Sequence, residues 1–374
     1  MAKSIFESNA ILADALRRTK FRIDAASKQN VEIFGKTWYE NHFVFGAVPH
    51  LMRDFKTILG KMHLTIAAST INGKSAEPLR MNQGFNEFAQ KMFTHAHAYK
   101  MEADEIRQLI LMAEAASKND DKREVEYIAN VLFNQTRAAV QGVRERLDLI
   151  ILEVLSNHGA FTFSADNDPQ SPFIGETIYF GFDANKKGTV GSDNTWVDAH
   201  KATVDPVAEI DAVMKQSRLP LVKILLSRES MLYILSCDKM KGYINSALYP
   251  NMPLTQTILN NWMAENGLPT FEVVEKQSLI QDGDVLKPYS PWKAGQLVFL
   301  PENQIGTIET AFTDAELGMR SDGVDYQYYG RIETSRYVQG ERENADYAEI
   351  TKARIIGAPS FEIADNIYTL DTLN

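Results

Sequence analysis

Between about Lys122 and Asn157 the apolar residues fall on one helical face. Val125, Ile128, Leu132, Ala139, Val143, Leu147, Ile150 and Val154 are separated by three, four or seven positions. Asp121, with Glu124 three residues later, is a capping-box variant at the start, and Asn157-His158-Gly159 supplies the stop. At 1.5 Å per residue the predicted helix is roughly 50 Å long, whereas the mean helix has about 11–12 residues. A helix of that length spans the molecule.

Upstream the pattern is weaker. Ser4 to Arg18 reads as a short amphipathic helix with Ile5, Leu12 and Leu16 on one side. Trp38-Tyr39-Glu40-Asn41-His42-Phe43-Val44-Phe45 reads as an aromatic docking segment, and His63 to Ala68 as a strand. Turn formers follow at Asn72-Gly73-Lys74-Ser75-Ala76-Glu77-Pro78 and at Met81-Asn82-Gln83-Gly84, before a returning strand at Phe88 to Tyr99. This predicts a long two-stranded excursion with few residues able to build a core of their own.

Downstream, strand-like segments at Phe161–Phe163 and Thr177–Phe182 flank the turn cluster Asp166-Asn167-Asp168-Pro169-Gln170-Ser171-Pro172. Asp205-Pro206 is an N-cap followed by proline at the first helical position. From there helix and strand alternate: helix Val207–Gln216, strand Leu221–Leu226, helix Glu229–Leu235, helix Gln256–Asn266 stopped at Gly267, and strands Thr270–Glu275 and Gln296–Leu300. Such alternation predicts a compact α/β lobe. The tail is strand-rich again, at Gly330–Thr334, Ala348–Ile356 and Ser360–Thr369. The fold class is α+β, with neither an internal repeat nor a low-complexity stretch.

The 374 residues are 44% apolar and 24% charged, ordinary globular values, and the length suggests about two domains. No apolar run approaches the roughly 18–20 residues of a membrane span, and the mixed charges of residues 1–30 do not resemble a secretory signal. One cysteine, Cys237, rules out an intrachain disulfide, and its apolar neighbours predict a buried thiol. The net charge of −10 argues against tight binding of nucleic-acid phosphates. Residues 1–60 nevertheless hold nine Lys/Arg against six Asp/Glu. That segment is either a weak polyanion contact or a solvated arm.

Candidate chemistry fails motif by motif. Gly73-Lys74-Ser75 ends like a phosphate loop, but Ala68 stands where the motif needs glycine. Asp166-Asn167-Asp168-Pro169 lacks the glycine and distal glutamate of a calcium loop and reads as a turn. His95-Ala96-His97 is the most metal-like feature, because alternate strand residues share a face. The pair either serves structure or, with His63 on a partner strand, binds metal. There is no Gly-x-Ser-x-Gly elbow, and Cys237 has no nearby histidine. No catalytic, cofactor-binding or metal residue is assigned, and no cofactor is expected.

Several stretches nonetheless resemble one family in order. Ile178-Tyr179-Phe180-Gly181-Phe182, Trp196-Val197-Asp198 and Asp205-Pro206-Val207-Ala208-Glu209-Ile210 resemble a run in major capsid protein E-like subunits of tailed phages. Tyr179 stands for that family's aspartate and Val204 for its alanine, so no role of the aspartate is carried over. Ser75-Ala76-Glu77-Pro78-Leu79, Arg137 to Gly159, Asn260 to Pro269, Gly295 to Pro301, Gly330-Arg331-Ile332 and Pro359 to Thr369 resemble further family segments, spanning roughly residues 60–370.

The resemblance implies the HK-ninety-seven type of phage capsid fold. Mapped here, it gives an N-terminal arm at 1–60, an extended β loop at 61–100 and a peripheral domain with the long spine helix at 101–204. An α/β axial domain follows at 205–344, and C-terminal strands at 345–374 return to the peripheral domain. It implies hexamers and pentamers of this chain closing into the icosahedral shell of a virion in the host cytoplasm. The implied partners are scaffolding and portal proteins and packaged double-stranded DNA in weak, non-specific contact, with no membrane and no cofactor. Lys74, Glu77 and Arg80, on the polar tip of the excursion, are the candidates for contact between subunits. Two alternatives stand beside this: an encapsulin-like protein compartment, and a metal-dependent enzyme using His95 and His97.

Overall fold

The computed structural model describes residue 4 and residues 9–28, 34–59, 86–119, 122–217, 219–244, 253–339 and 347–373. In chain order these residues form helix α1 (Ala10–Lys28), strands β1 (Phe43–Phe45), β2 (Asp54–Leu59), β3 (Asn86–Lys91) and β4 (Phe93–Met101), and helices α2 (Ala103–Asn119) and α3 (Lys122–Ser156). Short strands β5 (Ala160–Thr162), β6 (Thr177–Tyr179) and β7 (Lys187–Thr189) precede helix α4 (Pro206–Gln216), strand β8 (Lys223–Ser227) and helices α5 (Arg228–Ser236), α6 (Asp238–Ile244) and α7 (Gln256–Glu265). Strands β9 (Thr270–Val274), β10 (Ser278–Asp282), β11 (Val285–Tyr289), β12 (Gln296–Leu300), β13 (Gly306–Thr310), β14 (Asp325–Tyr329), β15 (Ile332–Gln339), β16 (Ala348–Ser360) and β17 (Tyr368–Asp371) complete the chain.

The predicted long helix is α3, 35 residues and roughly 52 Å long. Its expected face is the buried one: Ile128, Leu132, Ala139, Val143, Leu147, Ile150 and Val154 are all buried. The helix serves two cores in succession. Ile128, Ala129 and Leu132 pack with Leu12 and Ala15 of α1 and with Ile106, Leu109 and Ala113 of α2. Residues from Ala139 to Leu155 pack with Phe43, Phe161, Ile308, Ile355 and Phe361. His158 (φ 49°) and Gly159 (φ 79°) end the helix in left-handed geometry, and a Cβ on Gly159 would lie 2.5 Å from the Phe182 ring. Only glycine fits there.

Two main sheets flank this helix. One has the order β1-β13-β16-β15-β14, with β4 also pairing to β16 through Glu349↔Met101 to Gly357↔Phe93. The other has the order β7-β17-β12-β8-β9. Strands β12 and β8 alternate between two apolar partners, as expected of strands covered on both faces. Leu225, Val298 and Leu300 join the core of α3, while Ile224, Leu226, Leu297 and Phe299 face the helices of the α/β lobe. Asp205 caps α4 by accepting from the Ala208 N–H at 3.2 Å, with Pro206 at the first helical position, as the sequence predicts.

Several elements differ from the sequence reading. The first helix starts at Ala10 rather than Ser4 and runs past Arg18 to Lys28. The Asn9 side chain caps it by accepting from the Ile11 and Leu12 N–H groups. Helix α2, strands β13 and β14 and the β10–β11 hairpin were not expected. The Phe88–Tyr99 segment is two strands: β3 pairs with β2 in a two-stranded ribbon, and β4 belongs to the six-stranded sheet. The expected strand at Ser360–Thr369 is interrupted by a helical turn at Ala364–Asn366, after which β17 joins the sheet of the α/β lobe. The expected strand at His63–Ala68, Asp121 of the capping box, and Lys74, Glu77 and Arg80 lie outside the described residues.

Candidate functional site

His95 and His97 do share a face of β4, as their spacing predicts, and it is turned toward α3. His95 is buried, and burial together with the nearby Arg146 guanidinium holds it down to about 3, so the ring is neutral. His97 lies over Gly142 of α3, where a Cβ would stand 2.8 Å from the imidazole carbons, and it meets Tyr99 edge-on. Burial pushes its pKa down as well. The two rings therefore act as packing groups between strand and helix. Among the described residues no group of three His, Cys, Asp or Glu side chains is placed to hold a metal.

The acidic turn after β5 is tied up in structure. Asn167 is buried and donates from Nδ2 to the Glu153 carboxylate and to the Thr162 carbonyl at 2.8 Å. Asp168 pairs with Arg146 at 3.0 Å, and Arg146 in turn stacks over Phe161 and Phe163. Tyr289 donates to Glu153 at 3.0 Å. Burial pushes Glu153 up against these hydrogen bonds, so it is a partly desolvated structural carboxylate. Cys237 is fully buried, its thiol donating to the Val204 carbonyl at 3.2 Å. A cavity of about 20 Å³ between α1 and β14–β15 is lined by Thr19, Thr136, Asp325, Gln327 and Arg336. It has room for about one water, far below the roughly 300 Å³ of a small-molecule site.

The surface offers more than the interior. From Phe43 onward the chain follows β13 in parallel and leaves Val44, Val48, Leu51 and Met52 outside, the last two more than 70% exposed. The β10–β11 hairpin turns at Gly283-Asp284 with Gly283 at φ 60°, as a two-residue turn with glycine first requires. Leu279, Val285 and Leu286 on it are each more than half exposed. A Gly-Asp pair between two short strand-like runs is a hairpin signal that the sequence carries at Gly283-Asp284. Exposed apolar side chains thus stand on a two-stranded ribbon and on the segment that runs beside β13.

Four of the basic residues near the N-terminus are paired with carboxylates in the fold. Arg17 and Arg18 pair with Asp14, Arg18 and Arg22 with Glu126, and Lys20 with Asp325 at 2.6 Å. Among the described side chains of α1 the basic groups are therefore interleaved with acidic partners. No helix among the described residues is long and apolar enough to cross a membrane.

No family model matches the sequence, and no curated protein matches it. Solved structures do match. The protein assigned as the capsid protein of a prophage of E. coli CFT073 is 10% identical, with a TM-score of 0.55 over 92% of this chain and 96% of its own. Looser likenesses are the satellite phage P4 procapsid (8% identity, TM-score 0.42, 87% and 91% covered) and the SrpI encapsulin complex of Synechococcus elongatus PCC 7942 (10%, 0.39, 92% and 89%). At this identity the first likeness is one of fold: the chain has the α+β architecture of that prophage protein along nearly its whole length.

Proposed function

We propose that this chain is the major capsid protein of a tailed bacteriophage, a shell subunit that assembles with copies of itself and catalyses nothing. The observation that carries the reading is the fold shared end to end with a prophage capsid protein. Fold alone does not fix function. The exposed apolar edge and hairpin add a reason for the chain to be covered by neighbours, because closed shells need large, repeated contacts. In this reading residues 1–60 are the arm, 61–100 the extended loop, and 101–204 with β16 the peripheral domain. Residues 205–344 are the axial domain, although β13, β14 and β15 lie in the sheet of β16. Of the C-terminal strands expected to return to the peripheral domain only β16 does so, β17 joining the sheet of β8 and β12.

Hexamers and pentamers would close into an icosahedral shell in the host cytoplasm, guided by scaffolding and portal proteins and enclosing double-stranded DNA held by weak, non-specific contacts. Lys74, Glu77 and Arg80 would contact the neighbouring subunit. Negative-stain microscopy of the purified protein tests the reading. Hollow polyhedral particles, capsomers or tubes are expected. A field of dispersed single subunits, with scaffolding protein supplied, would contradict it.

A further inference from the structure

The β10–β11 hairpin carries apolar side chains on both of its faces. Its register pairs Ser278↔Tyr289, Leu279↔Pro288, Ile280↔Lys287 and Gln281↔Leu286. Ile280 and Tyr289 therefore share one face, and Leu279, Leu286 and Pro288 share the other. The first face is the inner one: Ile280 and Tyr289 pack against the core of α3, and Tyr289 donates to Glu153. The outer face stands open, with Leu279 69% and Leu286 61% exposed and Pro288 exposed beside them. A ribbon with water on that side would alternate apolar with polar residues, and a two-stranded ribbon has little stability of its own.

A second open surface lies where the chain runs beside β13. Phe43 turns into the core and Val44 outward, and Val48, Leu51 and Met52 follow, each 70% exposed or more. The two surfaces differ in charge. At the hairpin stand Asp282 and Asp284, with Asp166 close to its one cation, Lys287. Along the segment stand Arg53, Lys56 and Arg331, the last donating to the Gly46 and Ala47 carbonyls. Against them are Asp54 and Glu309, and Glu309 is already held by His50 and Thr307. The hairpin is thus acidic and the segment basic. Hairpin on hairpin, or segment on segment, would gather like charges; hairpin on segment gathers opposite ones.

We propose that the outer face of the hairpin in one copy of this chain seats on residues 44–53 of the next copy. The proposal rests on the reading of the chain as a self-assembling subunit and names two surfaces that meet. Leu279, Leu286 and Pro288 cover Val48, Leu51 and Met52, and the acidic tip meets the basic flank. Exposed charges of this kind set the direction of docking more than its strength. The contact is head-to-tail: each copy that offers its hairpin keeps its segment free for a further neighbour. Repetition of such a contact builds a ring where the rotation closes, whereas a self-matching patch stops at a dimer.

Paired cysteines test it in the full-length chain, where Cys237 is fully buried and inert. A chain carrying both Met52→Cys and Leu286→Cys, treated with a short bis-maleimide during association, should give a ladder of multiples of 42.1 kDa on a denaturing gel. Chains carrying one of the two changes should stay single alone and give a dimer band only when mixed. Leu286→Lys, at an exposed position, should leave the unfolding midpoint of the unassembled subunit in place. It should raise the concentration needed for association by about tenfold or more. A dimer from Leu286→Cys alone would mean that hairpin meets hairpin, and would overturn the proposal. So would association of Leu286→Lys at an unchanged concentration. Particles that form yet stay uncross-linked would overturn it too, leaving the shell reading intact and both surfaces to another partner. A ladder from a chain that never closes a particle would uphold the contact and count against the shell. Monomers without a ladder would sink both.

Discussion

The side-chain amide of Asn260 pairs with both backbone polar atoms of Phe271: its Nδ2 donates to the Phe271 carbonyl at 2.9 Å, and its Oδ1 accepts from the Phe271 N–H at 2.8 Å. Phe271 lies in β9, the edge of the five-stranded sheet, so one amide on α7 takes the place of a neighbouring strand. An open edge of that kind is a template for unwanted pairing. Asn260→Ala should cost about 1–3 kcal/mol in the unassembled subunit, measured by urea unfolding, and raise its tendency to aggregate. An unchanged midpoint would show that water replaces the amide without loss.

Leu147 tests the register of the long helix. It is fully buried in the core shared by α3 and the six-stranded sheet. Leu147→Ala should destabilise the subunit by about 2–5 kcal/mol, and Leu147→Asp should leave insoluble protein. Soluble, assembly-competent Leu147→Asp would place that face in solvent.

Glu272 sets an acid limit on stability. Burial pushes its carboxyl up, but the hydrogen bonds from His42 and Lys223 outweigh burial and hold it down to about 2. A carboxyl whose folded pKa is depressed adds stability above its unfolded value, near 4.5, and loses it as pH falls toward 2. Glu272→Gln should therefore lose on the order of 2–3 kcal/mol at pH 7 and show a flatter decline between pH 4.5 and 2. Urea unfolding across that pH series checks it, and parallel declines in the two proteins would refute it.

The parts of the fold legible beforehand are those written in local spacing. The face from Ile128 to Val154, the Asp205-Pro206 cap and the stops at Gly159 and Gly267 need only near neighbours along the chain. Helix α2 escaped because its buried stripe, Ile106, Leu109 and Ala113, is interrupted by the exposed Leu111, which blurs the period. The apolar pattern puts the start of the first helix too early, because Ile5 extends the face of Leu12 and Leu16, although Asn9 carries the cap signal. The pairings of His42 with Glu272, Trp38 with Asp148 and Asn260 with Phe271 join residues brought together only by the tertiary fold. No sequence period announces them. His95 and His97 were legible as a pair sharing a face, but their burial depends on Gly142 and on β16, far away in sequence.

The excursion between Asn72 and Gly84 carries the proposed contacts of Lys74, Glu77 and Arg80. A polar, turn-rich tip with few apolar side chains contributes little to a subunit's own core. Replacing residues 72–84 with a short Gly/Ser turn should leave the melting temperature of the subunit nearly unchanged and prevent closed shells. Normal particles would make the excursion a decoration, and an unfolded subunit would place it in the core; either result would remove those three residues from the proposed interface.

The central claim is that copies of this chain build a shell, and particle mass tests it most directly. Light scattering on the purified 42.1 kDa chain over a range of concentrations, with scaffolding protein present, should show capsomers or closed particles at multiples of that mass. A strictly monomeric species at every concentration would contradict it.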